Sequence, residues 1–133
     1  MLNNASILVV DDEEIMREIL ESLLTREGCR VQLASSGEES VELAKAGSFD
    51  VAIVDVMMPG IDGIQTLKEL KRLDDDLPVI MITAFGTSSN TREAFKQGAF
   101  DFVEKPFKND DVLVVVRNAV AQHRLVAENR SLR

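Results

Sequence analysis

The sequence predicts an α/β fold: a doubly wound parallel sheet of five strands, helices on both faces, and a C-terminal helix that outruns the sheet. Three observations lead there. Strand-like apolar runs alternate with amphipathic helical runs five times along the 133 residues, the pattern of a parallel sheet joined by right-handed crossovers. The third run, Val51-Ala52-Ile53-Val54, has no polar interruption, as expected of a strand covered on both faces. Four runs also end in polar residues of particular chemistry. Asp11-Asp12 follow Ile7 to Val10, Asp55 follows Val54, Thr83 follows Val79 to Ile82, and Lys105-Pro106 follow Ala99 to Glu104.

Each element has its own local reason. After the first strand, Glu13 to Glu27 reads as a helix with Ile15, Ile19, Leu20, Leu23 and Leu24 near one face. Gly28 stops it as a residue just past a helix end should. Arg30 to Ala34 is a short second strand. Ser36-Gly37-Glu38-Glu39 opens a second helix that turns Val41, Leu43 and Ala44 inward and closes at Gly47. Gly63 to Leu73 is the third helix, capped by Asp62, and Asp74-Asp75-Asp76 is a solvated acidic turn. Thr91 to Gln97 lies in a fourth helical stretch stopped by Gly98. Asn109-Asp110-Asp111 caps the last helix, whose Val112, Leu113, Val116 and Val120 fit the core.

The flavodoxin-like order 2-1-3-4-5 is the common small version of such a sheet. Its switch point lies between strands one and three, and ligands bind there, beyond the carboxyl ends of the strands. Asp11, Asp12 and Asp55 then share one crevice, with Thr83 and Lys105 at its side. The length suits one domain with a real core. An apolar content of 45% with 29% charged residues reads as globular. A net charge of −8 argues against a nucleic-acid surface on this chain. Neither a signal peptide nor a bilayer-length apolar run is expected. Cys29 is the only cysteine. It reads as a small buried apolar residue, and its isolation fits a reducing cytoplasm.

Three carboxylates brought together repel one another, and a hard oxygen-seeking cation relieves that repulsion. Mg²⁺ suits a site of few carboxylates and several waters. Such an ion can clamp the oxygens of an incoming phosphoryl group. Lys105 can meet that group as a point charge, and Thr83 can donate a hydroxyl hydrogen bond to it. Phosphoryl transfer needs mainly positioning and charge stabilisation, and a carboxylate can carry the group as a mixed anhydride. Taken singly, each residue has a blander reading. Asp11-Asp12 complement a helix dipole, Asp55 begins a turn, Thr83 is a β-branched strand residue, and Lys105 is solvated. Their coincidence at one sheet edge favours the functional reading.

The chain from about Ser6 to His123 resembles the CheY-like receiver domains of two-component response regulators. The resemblance rests on Val9-Val10-Asp11-Asp12-Glu13-Glu14, on Asp55-Val56-Met57-Met58-Pro59-Gly60-Ile61-Asp62-Gly63, on Thr83-Ala84, and on Phe102-Val103-Glu104-Lys105-Pro106-Phe107. It implies that Asp55 accepts a phosphoryl group from a sensor histidine kinase. It implies that Asp12, Asp55 and the backbone carbonyl of Met57 ligate Mg²⁺ directly, with Asp11 acting through water. Thr83 and Lys105 would contact phosphoryl oxygens, and the Lys105-Pro106 bond would be cis. In the implied switch, Thr83 moves toward the phosphoryl group and Phe102 turns inward, altering the face of the fourth helix, fifth strand and fifth helix. Phenylalanine at 102 excludes a hydroxyl hydrogen bond from that ring. Met57 and Phe85 are bulky and apolar, so self-dephosphorylation should be slow. The protein is then a signalling phosphoacceptor rather than an enzyme.

The tail adds a further expectation. Val115, Asn118, Gln122, Leu125, Asn129 and Leu132 follow coiled-coil spacing, with Asn suited to a two-stranded seam. Residues 1–123 would form the receiver and 124–133 a helical linker extension leading to an effector domain. The tail is similar to the linker of NtrC-family transcription activators, and a homodimer through this helix is expected. No Gly-x-x-x-x-Gly-Lys loop for ATP is present, and neither nucleic acid nor membrane is an expected partner of this chain. The alternatives are a stand-alone receiver acting by protein contacts and a Mg²⁺-dependent aspartyl-phosphate phosphohydrolase. The latter would want a second acid where Met57 stands. A nucleotide-binding module would want a phosphate loop in place of Asp11-Asp12-Glu13-Glu14.

Overall fold

A computed structural model of the chain describes residues 2, 4–56, 62–84 and 88–131, with 88–91 and 129–131 as backbone alone. In chain order the elements are β1 (Ser6–Val10), α1 (Glu14–Arg26), β2 (Arg30–Ala34), α2 (Gly37–Ala46), β3 (Val51–Asp55), α3 (Gly63–Leu73), β4 (Val79–Thr83), α4 (Ser88–Lys96), β5 (Asp101–Glu104) and α5 (Asn109–Ser131). The strands pair in parallel in the order β2-β1-β3-β4-β5. The predicted architecture and strand order are therefore those observed. The register sets Val10 beside Val54, Asp55 beside Ile82 and Thr83 beside Glu104, so the polar strand ends lie along one edge of the sheet.

Side chains alternate across the strands and build a core on each face. On one face Ile7, Val9, Ile53, Ile80 and Ile82 meet Leu20, Leu23 and Leu24 of α1 and Val112, Val116 and Val120 of α5. On the other, Leu8, Val10, Ala52, Val54 and Met81 meet Leu67 and Leu70 of α3 and Ala94 of α4. All five residues of β3 are buried, which explains its unbroken apolar run. Helix ends follow their local chemistry. Gly28 and Gly98 carry φ of 90° and 99°, values open to glycine at little cost. The Ser36 hydroxyl accepts from the Glu39 amide at 3.1 Å, and Asp62 Oδ1 accepts from the Gln65 amide at 2.8 Å.

Several local expectations are corrected. Ile15 and Ile19 are 72% and 43% exposed and do not join the core. The buried stripe of α1 is Leu20, Leu23 and Leu24 with Met16 at its edge, and each isoleucine precedes a stripe residue, about 100° round the helix. β5 begins at Asp101 rather than Ala99, although the Phe100 amide already donates to the Val79 carbonyl at 2.8 Å. α4, Ser88–Lys96, ends one residue before Gln97. Val115 packs partly against the core instead of standing on the outer stripe. As expected of a helix that outruns the sheet, α5 runs unbroken from Asn109 to Ser131.

Candidate functional site

The crevice is assembled from four strand ends. Asp11 follows β1, and its amide still donates to the Ala34 carbonyl at 3.1 Å, so it leaves the sheet in a fixed direction. Its Oδ1 accepts from the Glu13 amide at 2.9 Å, and Arg17 Nη1 donates to its carbonyl at 2.7 Å. The first turn of α1 is thereby tied to the end of β1. Asp55 closes β3 and is buried. The Gly63 amide donates to the Val56 carbonyl at 2.9 Å. At Gly63 a Cβ would lie 2.1 Å from the Asp55 carbonyl oxygen and 2.5 Å from Val56 Cα. Only glycine permits that approach of α3 to the backbone that carries Asp55.

The carboxylate oxygens of Asp11, Asp12 and Asp55 lie within 4.8 Å of one another, with Asp12 exposed and the other two buried. Lys105 follows β5. Its amide donates to the Thr83 carbonyl at 2.7 Å, and the Lys105-Pro106 peptide is cis. Its ammonium nitrogen lies 3.5 Å from Asp55 Oδ2, 3.6 Å from Asp11 Oδ2 and 3.5 Å from Glu13 Oε1. Thr83 is fully buried at the end of β4. Phe102, three residues before Lys105, is half-buried against the second core face and stands opposite Met81. Met57 and Phe85, to which a metal-binding carbonyl and a shielding role were ascribed, lie outside the described residues.

The electrostatics follow from burial and proximity. Burial pushes the Asp11 carboxyl above its ordinary pKa. The Glu13 amide and Lys105 only partly offset this, and the Glu13 and Asp12 charges add to it. Burial alone would lower the pKa of Lys105, but the Asp11, Asp55 and Glu13 carboxylates outweigh it and hold the ammonium above its usual range. Two buried carboxylates and one exposed one offer hard oxygen donors with room for water on one side, which fits a Mg²⁺ ion.

Sequence reasoning missed Glu13 and Arg17 as parts of this site, because neither motif spacing nor periodicity says where a long side chain points. It also missed the pairing of His123 Nδ1 with Asp50 Oδ1 at 3.1 Å. Asp50 in turn accepts from the Ser6 amide through Oδ2 at 2.8 Å. This pair sits at the opposite end of the sheet from the crevice. Among the described residues no helix is long and apolar enough to cross a membrane.

A five-stranded doubly wound sheet with an acidic triad and a lysine at its carboxyl edge has the architecture of a signalling receiver. The response regulator receiver domain family matches residues 7–117, and the chain belongs to that family. It is 39% identical over 128 residues to the C4-dicarboxylate transport transcriptional regulatory protein DctD of Pseudomonas aeruginosa, covering 96% of this chain and 28% of that protein. It is likewise 39% identical to the transcriptional regulatory protein ZraR of Escherichia coli, over 95% of this chain and 29% of that protein. The crystal structure of NtrX from Brucella abortus superposes with a TM-score of 0.91 at 32% identity, covering 98% of this chain and 30% of that one. These relatives are NtrC-family regulators, and the chain spans less than a third of their length.

Proposed function

We propose that this chain is a phosphoacceptor, taking a phosphoryl group on Asp55 from a phosphohistidine of a sensor kinase. The observation that carries the reading is the buried Asp55 carboxylate, set with Asp11 and Asp12 inside 4.8 Å and 3.5 Å from the Lys105 ammonium. An Asp55 oxygen forms the new bond to phosphorus as the bond from phosphorus to the histidine nitrogen breaks, and the imidazole keeps that electron pair. Asp11, Asp12 and Asp55 would hold Mg²⁺, with the family resemblance adding the carbonyl of Met57. The ion, when bound, supplies charge neutralisation for the phosphoryl oxygens. Lys105 pairs with one of those oxygens and Thr83 donates to another. Drawing Thr83 forward opens space beside β4, and Phe102 on β5 is placed to respond.

The product adds about −1.5 to −2 charges and three acceptor oxygens at the crevice. The readout is a change in the face formed by α4, β5 and α5, passed to an output domain of transcriptional type in the cytoplasm. Intact mass after incubation with acetyl phosphate tests the acceptor directly. One phosphoryl group should add with Mg²⁺ present. None should add with Mg²⁺ chelated, and none to the Asp55→Asn variant. Addition to Asp55→Asn at the wild-type rate would remove Asp55 from the role.

A further inference from the structure

We infer that Glu13 is a positioning residue that restrains phosphoryl acceptance: its carboxylate holds the Lys105 ammonium at the crevice mouth, and that pair must open before Lys105 can meet a phosphoryl oxygen. This rests on Asp55 being the acceptor. Glu13 occupies the N-cap position of α1, yet its side chain makes no cap hydrogen bond, although helix starts favour side chains that supply one. The carboxylate reaches instead to Lys105, 3.5 Å away. Of the three carboxylates around that ammonium, Asp11 and Asp55 are buried members of the acidic triad, and the Glu13 side chain is 65% exposed. When a cation and a phosphoryl group engage the triad, Glu13 is the carboxylate left to compete for Lys105. The backbone of the same residue fixes the triad from the other side, through its amide on Asp11 Oδ1. One residue therefore orients an acid and tethers the base opposite it, with separable chemistry: the side chain can be neutralised while the amide stays.

The test is a double-mutant cycle of Glu13→Gln and Lys105→Ala, read as the rate of phosphoryl addition from acetyl phosphate at saturating Mg²⁺. Glu13→Gln should speed addition roughly two- to fivefold, the scale of a partly exposed ion pair. It should have no effect once Lys105 is alanine. An equal acceleration in both backgrounds would mean that Glu13 acts only by repelling the anionic donor, and a slowing would mean that it assists; either overturns the inference. A second measurement does not need phosphorylation. The ¹H–¹⁵N signal of the Lys105 ammonium, assigned by its loss in Lys105→Ala, should shift in Glu13→Gln, and an unmoved signal overturns the pairing. That arm decides alone if Lys105→Ala accepts no phosphoryl group. Absence of addition to the wild-type protein, with the ammonium signal still shifting, would instead count against Asp55 as acceptor.

Discussion

Cys29 shows how burial, more than any other influence, sets a residue's chemistry. Its thiol lies under α1 at the start of β2, and burial, helped by the Glu27 and Asp50 charges against Arg124, raises its pKa from 9.0 to about 11. Below pH 9 folded and unfolded chains both keep the proton, so pH has no effect through this group. Between 9 and 11 the unfolded thiol ionises while the folded one does not, and stability falls by roughly 2–3 kcal/mol across that window. Denaturant titrations should show this extra slope in the wild-type protein and lack it in Cys29→Ala; parallel pH profiles for the two would contradict the buried thiol. At this scale the sequence was legible where a residue's role is set by its neighbours in the chain. Asp62 as a cap and Cys29 as a core residue are of this kind. It was silent where the partner is remote: Asp50 and His123 are 73 positions apart, and no local signal joins them. Gly63 was read only as the start of a helix. Its close seat against Asp55 depends on how α3 returns to the sheet, which spacing does not encode.

Among the elements, α1 separates amphipathic pattern from burial. Ile15, Ile19, Leu20, Leu23 and Leu24 form a broad apolar arc, but the sheet covers only the part centred on the leucines. Ile15→Ser should therefore change stability by less than about 0.5 kcal/mol, as surface substitutions do. Leu24→Ala, at a fully buried position, should cost roughly 2–5 kcal/mol. Chemical denaturation of both variants checks the contrast, and similar losses would mean that Ile15 is packed. The exposed isoleucines flank the helix start next to Asp11 and Asp12. The strands were easier to read than this helix, because a period of two over a short run leaves no room for an arc of intermediate burial. Their ends were less sharp. The Phe100 amide already makes a sheet-like hydrogen bond to Val79 ahead of β5, while the Ala99 amide still closes α4 on the Ala94 carbonyl, so the boundary between approach and strand is a matter of one residue.

For the whole molecule, the open question of partnership falls on α5. Its inner side is fixed to the body by apolar contacts as far as Val120, by Arg117 on Glu27 at 3.2 Å, and by His123 on Asp50. Its outer side carries Val114 and Leu125, 51% and 58% exposed, with Asn118 and Gln122 exposed between them. Leu125 and the asparagine retain the spacing of a two-stranded seam, while Val115 has been drawn into the core. We propose that this side joins a second copy. Sedimentation equilibrium should show a dimer in the wild-type chain and a monomer in Leu125→Asp. A wild-type monomer at high concentration would sink the proposal.

The His123–Asp50 pair also ties α5 to the end of the sheet opposite the crevice. The helix starts near the crevice and passes the far end of the sheet, and its 23 residues make a rod about 34 Å long. Its contacts with the body run from Val112 to His123, so the rod is held at both ends of the sheet: by apolar packing toward the crevice, and by a histidine resting on an aspartate at the opposite end.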